Sequence, residues 1–191
     1  MTYDPYLDRT TGILINKLGI TEDGPLRRAA ADISAARLDE IAARPIAGGY
    51  DLPHLQRFHR KIYGDIFPWA GELRTIPIFK DTGFCLPQHI VSYADSEFSK
   101  LRAEDHLRGL GVAAFVDRLA YYHAEINEIH PFREGNGRAL RAFLRQLARE
   151  ADYRLDWTVV NPEDNHAAAL AAHGGDLEPL QALLTRVVRP L

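Results

Sequence analysis

The chain has 191 residues, 46% of them hydrophobic and 26% charged, proportions of an ordinary folded domain that exclude a disordered or fibrous architecture. A formal net charge of −3 gives no broad cationic footprint, so direct nucleic-acid binding is not expected and any phosphate recognition must be local. The one cysteine, Cys85, excludes an internal disulfide, a zinc ribbon and a CxxC redox pair, and no basic leader or bilayer-length apolar run is visible; a soluble, cytoplasmic protein without a membrane partner is expected.

In chain order, nearly all the hydrophobic periodicity is helical. Leu26 to Ala43 forms a first window, with Ile33, Leu38 and Ile41 as its apolar stripe, and Arg44-Pro45 closes it. Asp51 can cap a second helix with Pro53 in its first turn and Leu55, Phe58 and Ile62 facing inward, ending at Gly64-Asp65. Between Phe67 and Pro87 the pattern turns extended: Leu73 to Phe79, followed by Asp81-Thr82-Gly83, predicts a small β-hairpin whose Pro77 confines its strand to an edge. Ile90, Ala94, Phe98 and Leu101 mark the next helix, and Gly109-Leu110-Gly111 separates it from Val112 to Ile129, apolar on more than one side and so expected at the centre of the core. Pro131 stops that helix, another runs from about Gly137 to Ala151, Asn161-Pro162-Glu163 starts a sixth, and Leu177 to Val188 forms the last. No repeat or linker suggests a second unit, so one all-α, mostly helical domain over residues 1–191 is expected, with the hairpin as its β element.

The chemistry concentrates where the two central helices meet, at His130-Pro131-Phe132-Arg133-Glu134-Gly135-Asn136-Gly137-Arg138. Glycines let backbone approach an anion, and the free amides of a helix N-terminus point donors and a positive dipole end at it, so the segment reads as a phosphate cradle. Asn136 can add a side-chain donor, and Arg138 and Arg141 share a helical face from which they can neutralise a polyphosphate. Glu134 would repel phosphate unless a cation lies between them, and Mg2+, which favours carboxylate, phosphate and water oxygens, resolves the conflict. His130 can take a proton from an attacking hydroxyl near neutral pH, and Phe132 reads as a buried anchor for the turn. His54, His59, His106 and His123 lack metal-ligand spacing and read as surface or core histidines; Phe58, Phe98, Phe115 and Phe143 read as core.

His130 through Arg141 resembles, without a departure, the Fic-family motif His-x-Phe-x-Asp/Glu-Gly-Asn-Gly-Arg-x-x-Arg. The likeness extends to Asn16-Lys17-Leu18-Gly19-Ile20, to Phe67 through Thr75 and to Leu155-Asp156-Trp157, stretches similar to bacterial Fic toxins. It implies a protein adenylyltransferase that moves AMP from ATP, with Mg2+, onto a Tyr, Thr or Ser hydroxyl of another protein. It implies His130 as general base, Glu134 as magnesium ligand, and Gly135, Asn136 and Gly137 on the α and β phosphates. Arg133, Arg138 and Arg141 complete the nucleotide contacts, Arg141 nearest the terminal phosphate. The family's flap corresponds to residues 72–87, with Lys80, Asp81, Thr82 and Gly83 placed beside the nucleotide and the target segment held extended by strand addition. The Doc branch, a kinase that binds ATP in the other direction, resembles Ala-Asn-Lys where this chain has Gly135-Asn136-Gly137. UMP transfer and a noncatalytic interaction module stay open beside AMP transfer. Likeness to the toxin branch points to type II topoisomerases, DNA gyrase or topoisomerase IV, as targets.

Many Fic proteins carry an inhibitory helix, Ser/Thr-x-x-x-Glu-Gly/Asn, whose glutamate pairs with the second motif arginine. Here Ser34 is followed four residues on by Leu38, Ser92 by Ser96, Ser99 by Ala103, Thr21 by Pro25 and Thr185 by Arg189. The glutamate is therefore expected from a separate small antitoxin acting on Arg141.

Overall fold

The structure is a computed structural model and describes residues 4–79 and 83–191. Local sequence signals account for most of the helix boundaries. In α1 (Asp23–Ala43), Leu26 and Ile41 are buried while Ile33 and Leu38 pack half-buried against the core. α2 (Leu52–Tyr63) begins where the Asp51 carboxylate accepts the His54 N–H at 2.8 Å, with Pro53 in the first turn. α3 spans Ile90–Ala103, α4 Val112–Ile129 and α5 Asn136–Glu150. α6 (Pro162–His173) is capped by Asn161, which accepts the Asp164 N–H at 2.7 Å, and α7 covers Glu178–Val187.

α5 is the hub, packing on α1, α2 and α4. Its Phe143 is fully buried and meets the rings of Tyr50, His54, Phe58 and Phe98 at centroid separations of 5.4, 5.7, 5.7 and 5.7 Å. α4 buries Phe115, Leu119 and Tyr122 and packs on α3, α5 and α7, as its two-sided apolar pattern predicts. Buried residues from Tyr6 to Val188 form one contiguous hydrophobic cluster. Among the described residues, no helix is long and apolar enough to cross a membrane.

Two features depart from the sequence expectations. A two-stranded antiparallel sheet joins β1 (Tyr153–Leu155) to β2 (Val188–Pro190), with Arg154 opposite Arg189, so the last helix ends one residue early and Val188 begins a strand. Strands of three residues carry too little alternation to be read from sequence. The flap, by contrast, forms little ladder: among the described residues its pairing consists of a bridge between Phe79 and Gly83 and a 3.3 Å bond from Phe84 N–H to the Ile78 carbonyl. Pro77 has no N–H to give, and the Ile76 and Cys85 carbonyls are taken by the Arg74 guanidinium.

Phe143→Ala should lower unfolding free energy by about 3–5 kcal/mol, the range for deleting a buried aromatic ring, as read by urea denaturation; a loss under about 1 kcal/mol would contradict the hub assignment.

Candidate active site

The corner between α4 and α5 is shaped by two residues in left-handed conformation. His130 closes α4 at φ 43°, ψ 59°, a position that usually takes glycine and that costs a residue with a Cβ about 1–2 kcal/mol. Gly135 opens α5 at φ 83°; a Cβ there would lie 2.2 Å from the Tyr63 ring, so both backbone and space require glycine. Between them Phe132 is buried, and the Asn136 amide closes the loop on itself, accepting the Phe132 N–H at 2.9 Å and donating to the Phe132 carbonyl at 2.7 Å. Asn136 therefore holds the loop with its side chain. One donor of its NH2 is engaged in this way, and residue 136 also brings its backbone N–H to the cavity.

These residues line a cavity of about 390 Å³, within the size range of small-molecule clefts. His130, Arg133, Glu134, Gly135, Asn136, Gly137, Arg138 and Arg141 all face it, joined by Ile78 and Phe79 of the flap. Arg138 donates to the Tyr63 hydroxyl at 3.1 Å, and among the described residues neither Arg138 nor Arg141 forms a salt bridge. Burial, reinforced by Arg138, pulls the Arg141 pKa down. Two neighbouring, partly buried guanidiniums that meet no carboxylate among the described residues make a cavity that favours an anion. Arg133 lines the same cavity, but its guanidinium is bound to Asp4 at 2.8 and 3.0 Å, so the N-terminal segment holds it. Gly83 sits in the flap bridge and is not part of the cavity wall, while Lys80, Asp81 and Thr82 lie outside the described residues.

His130 is buried and its ring stacks on Phe84, centroids 3.7 Å apart and planes at 15°. Its Nδ1 lies 3.1 Å from the Asn127 carbonyl. A carbonyl only accepts, so Nδ1 carries the proton and Nε2 is the basic nitrogen. Glu134 is exposed at the cavity and its Oε1 accepts the Gly135 N–H at 3.0 Å. Among the described residues no group of three or more His, Cys, Asp or Glu could cage a metal; one exposed carboxylate beside an anion cavity fits Mg2+, which takes few protein ligands and completes its shell with phosphate and water.

Three residues that support the site were not singled out from sequence. Arg74, 2% exposed, spends its guanidinium on backbone carbonyls: Nε donates to His130 at 2.7 Å, NH1 to Ile76 at 2.8 Å, and NH2 to Cys85 and, at 3.4 Å, to Ile129. Phe84 covers the His130 ring and Tyr63 supports Arg138; the long-range contacts of all three leave no local sequence signal. His59, read as a core or surface histidine, is core: Nδ1 accepts the Gly71 N–H at 2.8 Å, Nε2 donates to the Glu134 carbonyl at 2.8 Å, and the ring stacks on Phe132 at 3.9 Å. Cys85 is half-buried, and burial pushes its thiol pKa up, which disfavours the thiolate.

Known proteins are similar to this chain in sequence and fold. The Fic/DOC family matches residues 49–148, a span that contains the corner. Protein adenylyltransferase VbhT of Bartonella schoenbuchensis is 41% identical over 184 residues, which cover 96% of this chain and 38% of that protein. The Escherichia coli K12 protein named "Probable protein adenylyltransferase Fic" is 41% identical over 186 residues, covering 97% of this chain and 92% of its own length. The N-terminal Fic domain of a VirB-translocated Bep effector protein from Bartonella quintana, solved with bound ADP, superposes with a TM-score of 0.91 at 26% identity, over 97% of this chain and 94% of that one. The chain belongs to the Fic/DOC family.

Burial depresses the pKa of both His59 and His123 to about 4, against 6.5 unfolded. Below pH 6.5 the unfolded chain binds protons that the native state refuses, so stability should fall as pH drops from 6.5 toward 4. The slope approaches about 1.4 kcal/mol per pH unit for each histidine. Urea unfolding at pH 7, 6 and 5 checks this; an unfolding free energy constant across that window would show that the two rings are not held neutral.

Proposed function

We propose that residues 1–191 act as one catalytic unit that transfers AMP from ATP to a hydroxyl of a target protein. The observation that carries this reading is the cavity itself, where two guanidiniums that pair with no carboxylate among the described residues and the N-terminal amides of α5 meet a histidine whose Nδ1 is already committed. The named activity of VbhT supports it.

In this reaction the target oxygen attacks the α phosphorus, the bond from that phosphorus to the bridging oxygen breaks, pyrophosphate leaves and the hydroxyl proton passes to His130 Nε2. Backbone N–H groups of Asn136 and Gly137 hold the α and β phosphates, with Gly135, whose N–H donates to Glu134 Oε1, shaping the turn that lets them approach, and Arg138 and Arg141 balance charge further along the chain of phosphates. Glu134 would hold Mg2+, which would neutralise phosphate charge. Ile78 and Phe79 place the flap at the cavity mouth, where an extended target segment carrying a Tyr, Thr or Ser can pair with its edge. Topoisomerase subunits are the targets this reading carries, and the reducing cytoplasm is its compartment.

A separate antitoxin is the regulator in this reading. Beside the anion cavity lies a second, mostly apolar cavity of about 210 Å³, lined by Leu38, Ile41, Pro45 and Trp157 and by the same Arg138 and Arg141. Arg145 and Arg149 add two further cations to it. An amphipathic helix with a glutamate fits such a groove, its apolar face on α1 and its carboxylate competing with phosphate for Arg141.

Purified protein incubated with target lysate should incorporate label from the α phosphate of ATP and none from its γ phosphate. His130→Ala should lower the rate by about 10²–10⁴-fold while leaving ADP affinity within about threefold, since no phosphate ligand is touched. Label from the γ phosphate, or from UTP in preference to ATP, would replace the reading by phosphorylation or UMP transfer. Expressed alone in bacteria, the wild type should arrest growth and His130→Ala should not. Unimpaired growth with an active wild type would remove the antitoxin from the account.

A further inference from the structure

The Arg74 guanidinium touches two structures that must agree for a histidine base to work. One is the backbone corner: Nε donates to the His130 carbonyl at 2.7 Å, NH2 reaches the Ile129 carbonyl at 3.4 Å, and the Arg74 N–H donates to the Pro131 carbonyl at 2.9 Å. The other is the flap, whose outgoing limb gives the Ile76 carbonyl and whose return limb gives the Cys85 carbonyl. Cys85 adjoins Phe84, the residue stacked on the His130 ring, and the Cys85 N–H donates to the Glu128 carbonyl at 3.1 Å.

We propose that Arg74 is a positioning residue for the transfer reaction, one buried guanidinium setting both the left-handed backbone of His130 and the flap limb whose Phe84 holds the imidazole plane. The planar fork of donors is what the role requires. Four carbonyls around a fixed plane can be met by arginine, whereas lysine offers three rotatable donors on one point charge. A carboxylate partner would have satisfied the charge without linking the two limbs, and no salt bridge to Arg74 is formed among the described residues. The guanidinium also takes the carbonyls at the end of α4, where a cation is favoured by the helix dipole. Arg74 touches no reacting atom; it acts through His130 and Phe84.

The kinetic part of this inference rests on adenylyl transfer as the reaction, and the spectroscopic part does not. In Arg74→Lys, kcat should fall by about 10- to 100-fold, the scale of a small misplacement of a reacting group. ADP affinity should stay within about threefold, because Gly135, Gly137, Arg138 and Arg141 are untouched. The His130 imidazole nitrogens, followed by NMR at neutral pH, should lose the single Nδ1–H tautomer of the wild type. Phe84→Leu, which keeps Arg74 and removes the ring stack, should also lower kcat with ADP affinity unchanged. The double variant should lose less than the product of the two, since both act on one imidazole. A kcat within about twofold of wild type in either folded single variant, an unchanged His130 tautomer in Arg74→Lys, or kcat and ADP affinity falling by the same factor would each overturn the proposal. Where Arg74→Lys does not fold, Phe84→Leu decides it. A wild type that transfers no AMP refutes the reaction, and the tautomer comparison still decides the role of Arg74.

Discussion

The site depends on keeping two helix ends apart. α4 finishes and α5 begins within one short loop, so a cluster of unpaired carbonyls lies close to a cluster of unpaired amides. Left to themselves these groups would satisfy one another and no anion hole would exist. Arg74 and the Cys85 N–H take the carbonyl end instead, and the Asn136 side chain pairs with Phe132 inside the loop. The amides that open α5 are then left to the cavity. The anion preference of the corner is thus a result of where its carbonyls are disposed of, as much as of the glycines that shape it.

Two histidines at this loop show how environment divides one side chain into two roles. His59 accepts at Nδ1 and donates at Nε2, both to backbone, and its burial keeps it neutral. It works as a neutral strut between the segment at Gly71 and the carbonyl of Glu134. His130 has the opposite arrangement, with Nδ1 donating inward to the helix that carries it. That leaves its basic nitrogen on the other edge of the ring, in a residue that lines the cavity. Residue type alone does not separate these roles; the partner of each nitrogen does.

How much of this was legible depended on distance along the chain. Helices announced themselves through local signals, with Asp51 capping α2 and Asn161-Pro162 starting α6 as the sequence predicts, and with Pro131 two residues beyond the end of α4. The motif residues were legible as a group because their chemistry is contiguous, and His130, Glu134, Arg138 and Arg141 do share one cavity. What sequence could not supply was the fate of individual donors. The Asn136 side chain also pairs with Phe132, and the Arg133 guanidinium with Asp4, partners that the residue types do not announce. Arg74 was visible only as one letter of a familiar stretch, since its partners lie as far along the chain as His130 and Pro131. The β1–β2 pair joins segments that are individually too short to show a period.

Tyr63 and Gly135 meet so closely that a single Cβ on residue 135 would enter the ring, and the Tyr63 hydroxyl in turn steadies Arg138. Residues 63 and 135 are therefore sterically coupled, although they sit on different elements and only one of them belongs to the motif. A lineage that replaced the glycine would have to shrink the aromatic residue first, and in doing so would give up the hydroxyl that holds the arginine. The glycine is preserved by a side chain behind it as well as by any phosphate in front of it, so its persistence in a sequence is not by itself a record of catalysis.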